Sequence, residues 1–176
     1  ADALEAASWV PIIAEHDGPV YMRLSRAATL PVHDQVPQLT IGTGITLRQG
    51  DDVAIIAAGS MVGRSLNAAD QLAVDGIRAR VLEVHTIKPL DVDLVGSAAE
   101  ETGAIVTAEE HSIIGGLGGA VAEALGQRHP VPLERVGIAD TFARTGPDPD
   151  SLMDAFGLAV GDIVAAARRV MARKQG

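Results

Sequence analysis

Glu109, Glu110 and His111 form the densest ionisable cluster in the chain. A carboxylate beside an imidazole can do general acid–base work if both are free to meet a substrate. The competing role is ion pairing or capping at a strand end. No His-Glu-x-x-His spacing exists, and no second His lies near in sequence, so the cluster offers no metal site. Two glycine-rich stretches raise phosphate binding. Gly59-Ser60-Met61-Val62-Gly63-Arg64-Ser65 has three residues between its glycines and then Arg, where a phosphate loop has four and then Lys. It reads as a tight strand-to-helix turn. Gly115–Gly119 carries Val121 where a dinucleotide loop has its third glycine, so close backbone packing at a helix entrance is expected. Arg23 and Arg26 flank Ser25, and the Arg fork matches phosphate or carboxylate. A salt bridge holding a linker fits their spacing equally. His16, His33, His85 and His129 are scattered and read as surface or turn residues. No Gly-x-Ser-x-Gly elbow is present, and cysteine is absent, which removes thiol nucleophiles, disulfides and Cys-based zinc sites together.

Strand and helix patterns alternate around these residues. Ile45–Leu47 reads as a short strand, and Val53–Ala58 is continuously apolar, as in a parallel strand covered on both faces. Ser60 suits the N-cap of the next helix, in which Val62, Leu66, Ala69 and Ala73 form one stripe before Gly76. Strands follow at Ala79–Val84, Ala104–Ala108 and Leu133–Ile138. Helices follow at Asp91–Thr102, from Gly115–Gly119 to about Gln127, at Ser151–Phe156 and at Asp162–Arg173. This alternation predicts a three-layer α/β/α fold with a mostly parallel sheet and helices on both faces. Ligands of such sheets bind beyond the strands' carboxyl ends, which here carry Gly59-Ser60, His85-Thr86, Glu109-Glu110-His111 and Ala139-Asp140. Glu109, His111 and His85 are therefore the candidate strand-end site. Ahead of this unit, residues 2–15 read as a helix that Pro11 should kink or end, and Val20–Leu24 alternates like a strand. Residues 25–37, with Pro31 and Pro37, read as a linker.

The chain has 176 residues with 47% hydrophobic and 21% charged, enough to bury a core and too apolar for disorder. The net charge of −9 and four aromatic residues oppose nucleic-acid binding and docking on an anionic membrane. No signal-peptide pattern opens the chain, so a cytoplasmic location is expected. It begins with Ala1 rather than Met, which predicts processing or trimming.

Several segments, taken in order, resemble the transketolase family. His85-Thr86-Ile87-Lys88-Pro89-Leu90-Asp91 resembles its "TIKPLD" segment, and Thr107 to Gly119 its "EEH…GGLG" segment. Val136 to Gly146, followed by Phe156-Gly157-Leu158, resembles its closing segment. The match is nearest to the separate C-terminal chain of bacterial split transketolases. Deoxyxylulose-phosphate synthase and the β subunits of 2-oxoacid dehydrogenases share the domain more distantly.

The resemblance implies residues 1–24 as the end of a preceding pyrimidine-binding domain, 25–37 as linker and 38–176 as the C-terminal domain. It implies a complete enzyme that moves two-carbon ketol units between sugar phosphates with thiamine diphosphate and Mg²⁺. The cofactor-binding parts lie outside this chain, so no catalytic, cofactor-binding or metal-binding residue is expected here. The expected partner is the remainder of the enzyme, as an N-terminal subunit or domain, in a complete enzyme that is a homodimer. Ser25-Arg26-Ala27-Ala28-Thr29-Leu30-Pro31 resembles a segment whose Arg binds sugar phosphate, which implies Arg26, with Arg23 as runner-up. Ala159 stands where related chains carry a capping Thr, at an expected cost of about 1 kcal/mol to the last helix. The competing expectation is a stand-alone regulatory module that holds a small anion or a partner at the strand ends. A lone N-terminal helix and strand argue against it, since two elements cannot bury their own apolar faces.

Overall fold

The structure is a computed structural model that describes residues 1–174. Its centre is β2 (Val53–Ala57), whose five residues are all fully buried. Side chains alternate across a strand, so an unbroken apolar run needs a cover on each face. Val53, Ile55 and Ala57 face α2 (Met61–Val74) and α6 (Val160–Lys174). Ala54 and Ile56 face α3 (Val92–Thr102) and α4 (Leu117–Arg128). Each buried Val or Ile contributes about 1.5–3 kcal/mol relative to an exposed position.

The sheet order is β1-β3-β2-β4-β5, with β1 at Ile45–Arg48, β3 at Ala79–Glu83, β4 at Ile105–Ser112 and β5 at Leu133–Ile138. β3, β2, β4 and β5 run parallel, and β1 joins β3 antiparallel. The layers and the mostly parallel sheet agree with the pattern of apolar runs. Asp91 caps α3 by accepting from the Leu94 N–H at 2.9 Å, and its other oxygen accepts from the Gly44 N–H at 2.9 Å. Gly103 then closes α3 at φ +65°, a left-handed turn that suits glycine. At α6 the Ala159 N–H donates to Asp162 at 2.9 Å, so half of a capping box survives without a capping hydroxyl.

Two local expectations turn out differently, and a third, that Pro11 kinks or ends its helix, loses its second alternative. Ser60 makes no side-chain cap on α2; its hydroxyl donates to Glu110 at 2.5 Å instead. Pro11 lies inside α1 (Ala3–Glu15) without ending it. Ala7 and Pro11 are both exposed, so the missing hydrogen bond falls on the solvent side of the helix. Val20–Leu24 joins no sheet, because a strand needs a neighbour and no segment of the described residues pairs with it.

Residues 16–44 carry neither helix nor ladder, yet they are pinned to α1. Asp2 accepts from the Glu5 N–H at 2.9 Å as the N-cap of α1. Its second oxygen accepts from the Val32 and His33 N–H groups, both at 2.8 Å. Burial pushes the Asp2 carboxyl up, but the donors from Glu5, His33 and Val32 outweigh it and bring it from 3.8 down to about 2. The contribution of Asp2 to stability is therefore complete above pH 4 and is lost as pH falls toward 2. Asp2→Ala should cost about 1–2 kcal/mol at pH 7, and the gap between parent and variant in urea denaturation should narrow as pH falls below 4 and close only below about 2.

Candidate functional site

Beyond Ala108 the ladder between β4 and β5 slips. Ala108 faces Val136, but the next pair is Ser112 with Ile138, so Glu109, Glu110 and His111 together oppose Gly137. The irregularity frees these residues from ladder geometry and re-aims their side chains. A side chain on Gly137 would press on Ile113 Cγ2 at 2.8 Å and Glu109 Cγ at 3.3 Å.

Glu109 is buried and turns toward the start of α4. Its Oε2 accepts from the Leu117 N–H at 2.7 Å, and its Oε1 from the Gly118 N–H at 2.8 Å. The carboxylate thus satisfies two orphan donors at the positive end of the helix dipole. A Cβ at Gly116 would collide with this carboxylate, and one at Gly118 would meet Arg135 Cδ at 2.7 Å. The glycine-rich stretch is therefore a close-packed helix entrance, already filled by an anionic group of the chain itself. A diphosphate there would meet the Glu109 carboxylate, so these residues do not fit a phosphate-bearing cofactor.

His111 is half exposed, with Nδ1 4.0 Å from Glu109 Oε2 and 3.0 Å from the Ser112 carbonyl. Glu110 is engaged by Ser60. His85 stands apart from this group. It follows β3, which is separated from β4 by β2, so roughly 9–10 Å of sheet lies between the strands. The strand-end candidates Glu109 and His111 come together, and His85 joins a different cluster.

That second cluster lies where α1, the linker and the end of β3 meet. The Glu83 side chain, the last of β3, is wholly buried. His33 Nε2 stands 3.0 Å from Glu83 Oε2. Glu5 accepts from the Trp9 indole N–H at 3.0 Å and contacts the Ala1 α-amino group. Trp9 meets the His85 ring edge-on, with centroids 4.8 Å apart. Burial, followed by the Glu5 charge, pushes the Glu83 carboxyl from 4.5 up to about 8. Burial also lowers the pKa of His85. Sequence spacing missed Glu5, His33 and Glu83 as a group because they come from three separate segments. The signal available was a lone acid inside the apolar run Ala79–Val84.

Arg23 and Arg26 are exposed on either side of Ser25, whose hydroxyl accepts from the Ala27 N–H at 3.2 Å. A surface cleft of about 480 Å³ lies between the linker, α2 and α6, lined by Thr29, Leu30, Ser60, Arg64 and Met153 among others. Arg64 pairs with Asp150 at 2.6 Å and Asp154 at 3.3 Å in α5 (Pro149–Ala155), which leaves its charge spent on the fold.

The family described as the transketolase C-terminal domain matches residues 42–163, from just before β1 into α6. The chain belongs to that family. As a transketolase C-terminal domain it is 47% identical over 173 residues to the 6-deoxy-6-sulfo-D-fructose transketolase subunit SqwH of Clostridium sp. (strain MSTE9), covering 98% of this chain and 53% of that protein. It is 42% identical over 163 residues to 1-deoxy-D-xylulose-5-phosphate synthase 1 of Geobacter sulfurreducens, covering 90% of this chain and 25% of the other. A solved split gene transketolase, described as an inactive β4 tetramer, superposes with a TM-score of 0.95 at 42% identity, over 99% of this chain and 57% of that one. The chain thus spans about half the length, or less, of these relatives.

Two outcomes follow for this transketolase domain. Glu109→Gln leaves one amide N–H of α4 facing another donor and should cost about 1–3 kcal/mol, read as a lower melting temperature. Glu83 should lower stability as pH rises from 4.5 toward 8, because the unfolded chain releases this proton first. Glu83→Gln should flatten that slope in urea melts at pH 5, 6, 7 and 8.

Proposed function

We propose that this chain is the C-terminal portion of a transketolase-type transferase that passes two-carbon ketol units between anionic sugars. By itself it is catalytically silent. It supports the active site and subunit contacts of the complete, dimeric enzyme, which we place in the cytoplasm. The observation that carries this reading is the uncovered N-terminal segment. Val10, Val20, Tyr21 and Leu24 are exposed, Tyr21 to 87%, on a helix and an unpaired extension. Such a row is expected where another part of the enzyme packs. Residues 1–24 are then the edge of a preceding domain, residues 25–37 the linker and residues 38–176 the C-terminal domain, of which 175 and 176 lie outside the described residues.

In the complete enzyme thiamine diphosphate, held with Mg²⁺, supplies the carbanion chemistry. Its site belongs to the remainder of the enzyme, since the glycine-rich helix entrance here is closed by Glu109. The related split transketolase described as inactive supports silence in the absence of a partner. Arg26 is the residue we assign to the far end of the substrate, with Arg23 as the alternative. A guanidinium fork takes a phosphate through two parallel hydrogen bonds, and a sulfonate offers the same array of oxygens. The Clostridium relative named for a sulfo sugar makes the sulfonate worth testing beside the phosphate.

The test is reconstitution. The isolated chain should turn over no ketose and bind no Mg–thiamine diphosphate, and only rejoining it to the rest of the enzyme, the preceding pyrimidine-binding domain included, should restore ketol transfer. Turnover by the chain alone would overturn the proposal. In the reconstituted enzyme Arg26→Ala should raise KM for a phosphorylated or sulfonated sugar about 10–100-fold, with kcat little changed and an uncharged sugar unaffected.

A further inference from the structure

We propose that Glu5, His33 and Glu83 form a binding site for a divalent zinc-like cation at the joint between α1, the linker and β3. One ligand atom from each side chain lies within 4.8 Å of the others, in a buried setting. Both oxygens of Glu83 are buried without a hydrogen-bond donor, and so is His33 Nε2. The two groups approach to 3.0 Å without the alignment of a hydrogen bond. Two lone-pair-bearing groups turned toward one another in a buried setting are costly unless a proton or a cation stands between them. His85 Nε2, in the same joint, is also buried and unpartnered.

Three ligands about 2.1 Å from one ion in tetrahedral or trigonal geometry stand about 3.4–3.6 Å apart, so atoms now within 4.8 Å must close by up to about 1.4 Å, shared between two side chains. One imidazole and two carboxylates favour zinc over magnesium or calcium, which prefer oxygen alone. Three protein ligands from α1, the linker and β3 would tie the N-terminal segment to the sheet, which makes the site structural.

Trp9 is the one tryptophan of the chain and donates to Glu5, so its emission reports on the site directly. The experiment is a titration of the chelator-stripped chain with Zn²⁺, followed by Trp9 fluorescence and melting temperature. The expected result is saturation at one equivalent with a raised melting temperature, no response to Mg²⁺, and at least a tenfold weaker response in both His33→Gln and Glu83→Gln. His16→Gln, an exposed control, should bind as the parent does. Circular dichroism establishes that each variant is folded, and Glu83→Gln puts a neutral amide of similar size in place of the carboxyl without creating a buried charge. Absence of saturable binding, or equal affinity in the parent and the two ligand variants, would overturn the proposal.

Discussion

Sealing both faces of β2 is the constraint from which the rest of the architecture follows. Five consecutive apolar residues with no exposure admit no solvated face, so helices must lie above and below. Right-handed crossovers between parallel strands deliver them there, with α2 and α6 on one side and α3 and α4 on the other. The short antiparallel β1 ends the sheet beyond β3. The helices in turn determine where strand ends and helix starts meet, and Glu109 stands at one such meeting point.

At the β4–α4 junction the fold consumes the chemistry that the sequence advertises. An acid next to a histidine beside a run of glycines suggests catalysis or phosphate binding. The slipped ladder instead carries Glu109 under α4, where two amide N–H groups claim its oxygens. The glycines are needed because a Cβ at position 116 or 118 would strike Glu109 or Arg135. A carboxylate saturated in this way is a helix cap, and its charge is favourable at that end of the dipole.

The other junction is less settled energetically. Two buried acids, Glu5 and Glu83, meet at the end of β3 with imidazoles beside them, and burial drives Glu83 toward its neutral form. Asp2 shows the contrast, since three donors hold its carboxylate ionised. Asp2 ties α1 to residues 32 and 33, and the meeting of Glu5, His33 and Glu83 brings both segments to the end of β3. These contacts give a physical reason for residues that join no sheet to keep a defined place.

The layers, the strand positions and most helix boundaries were legible in the sequence, although β4 runs to Ser112 instead of ending at Ala108, which puts Glu109, Glu110 and His111 within the strand. Val53–Ala58 announced a strand buried on both faces, Gly103 the end of α3, and the stripe from Val62 to Ala73 the buried side of α2. These are local patterns, and period and capping chemistry act over a few residues. The ordered segments around Thr86–Asp91 and Glu109–Gly119 likewise pointed to the transketolase family, to which the match over residues 42–163 assigns the chain. What only the tertiary structure decided was partnership. Ser60 turned from a cap to Glu110, Val20–Leu24 found no strand to pair with, and His85 separated from Glu109 because β2 lies between their strands. Glu5, His33 and Glu83 are distant in sequence and adjacent in space. No local period records such a meeting, because it depends on how far the linker travels before folding back onto α1.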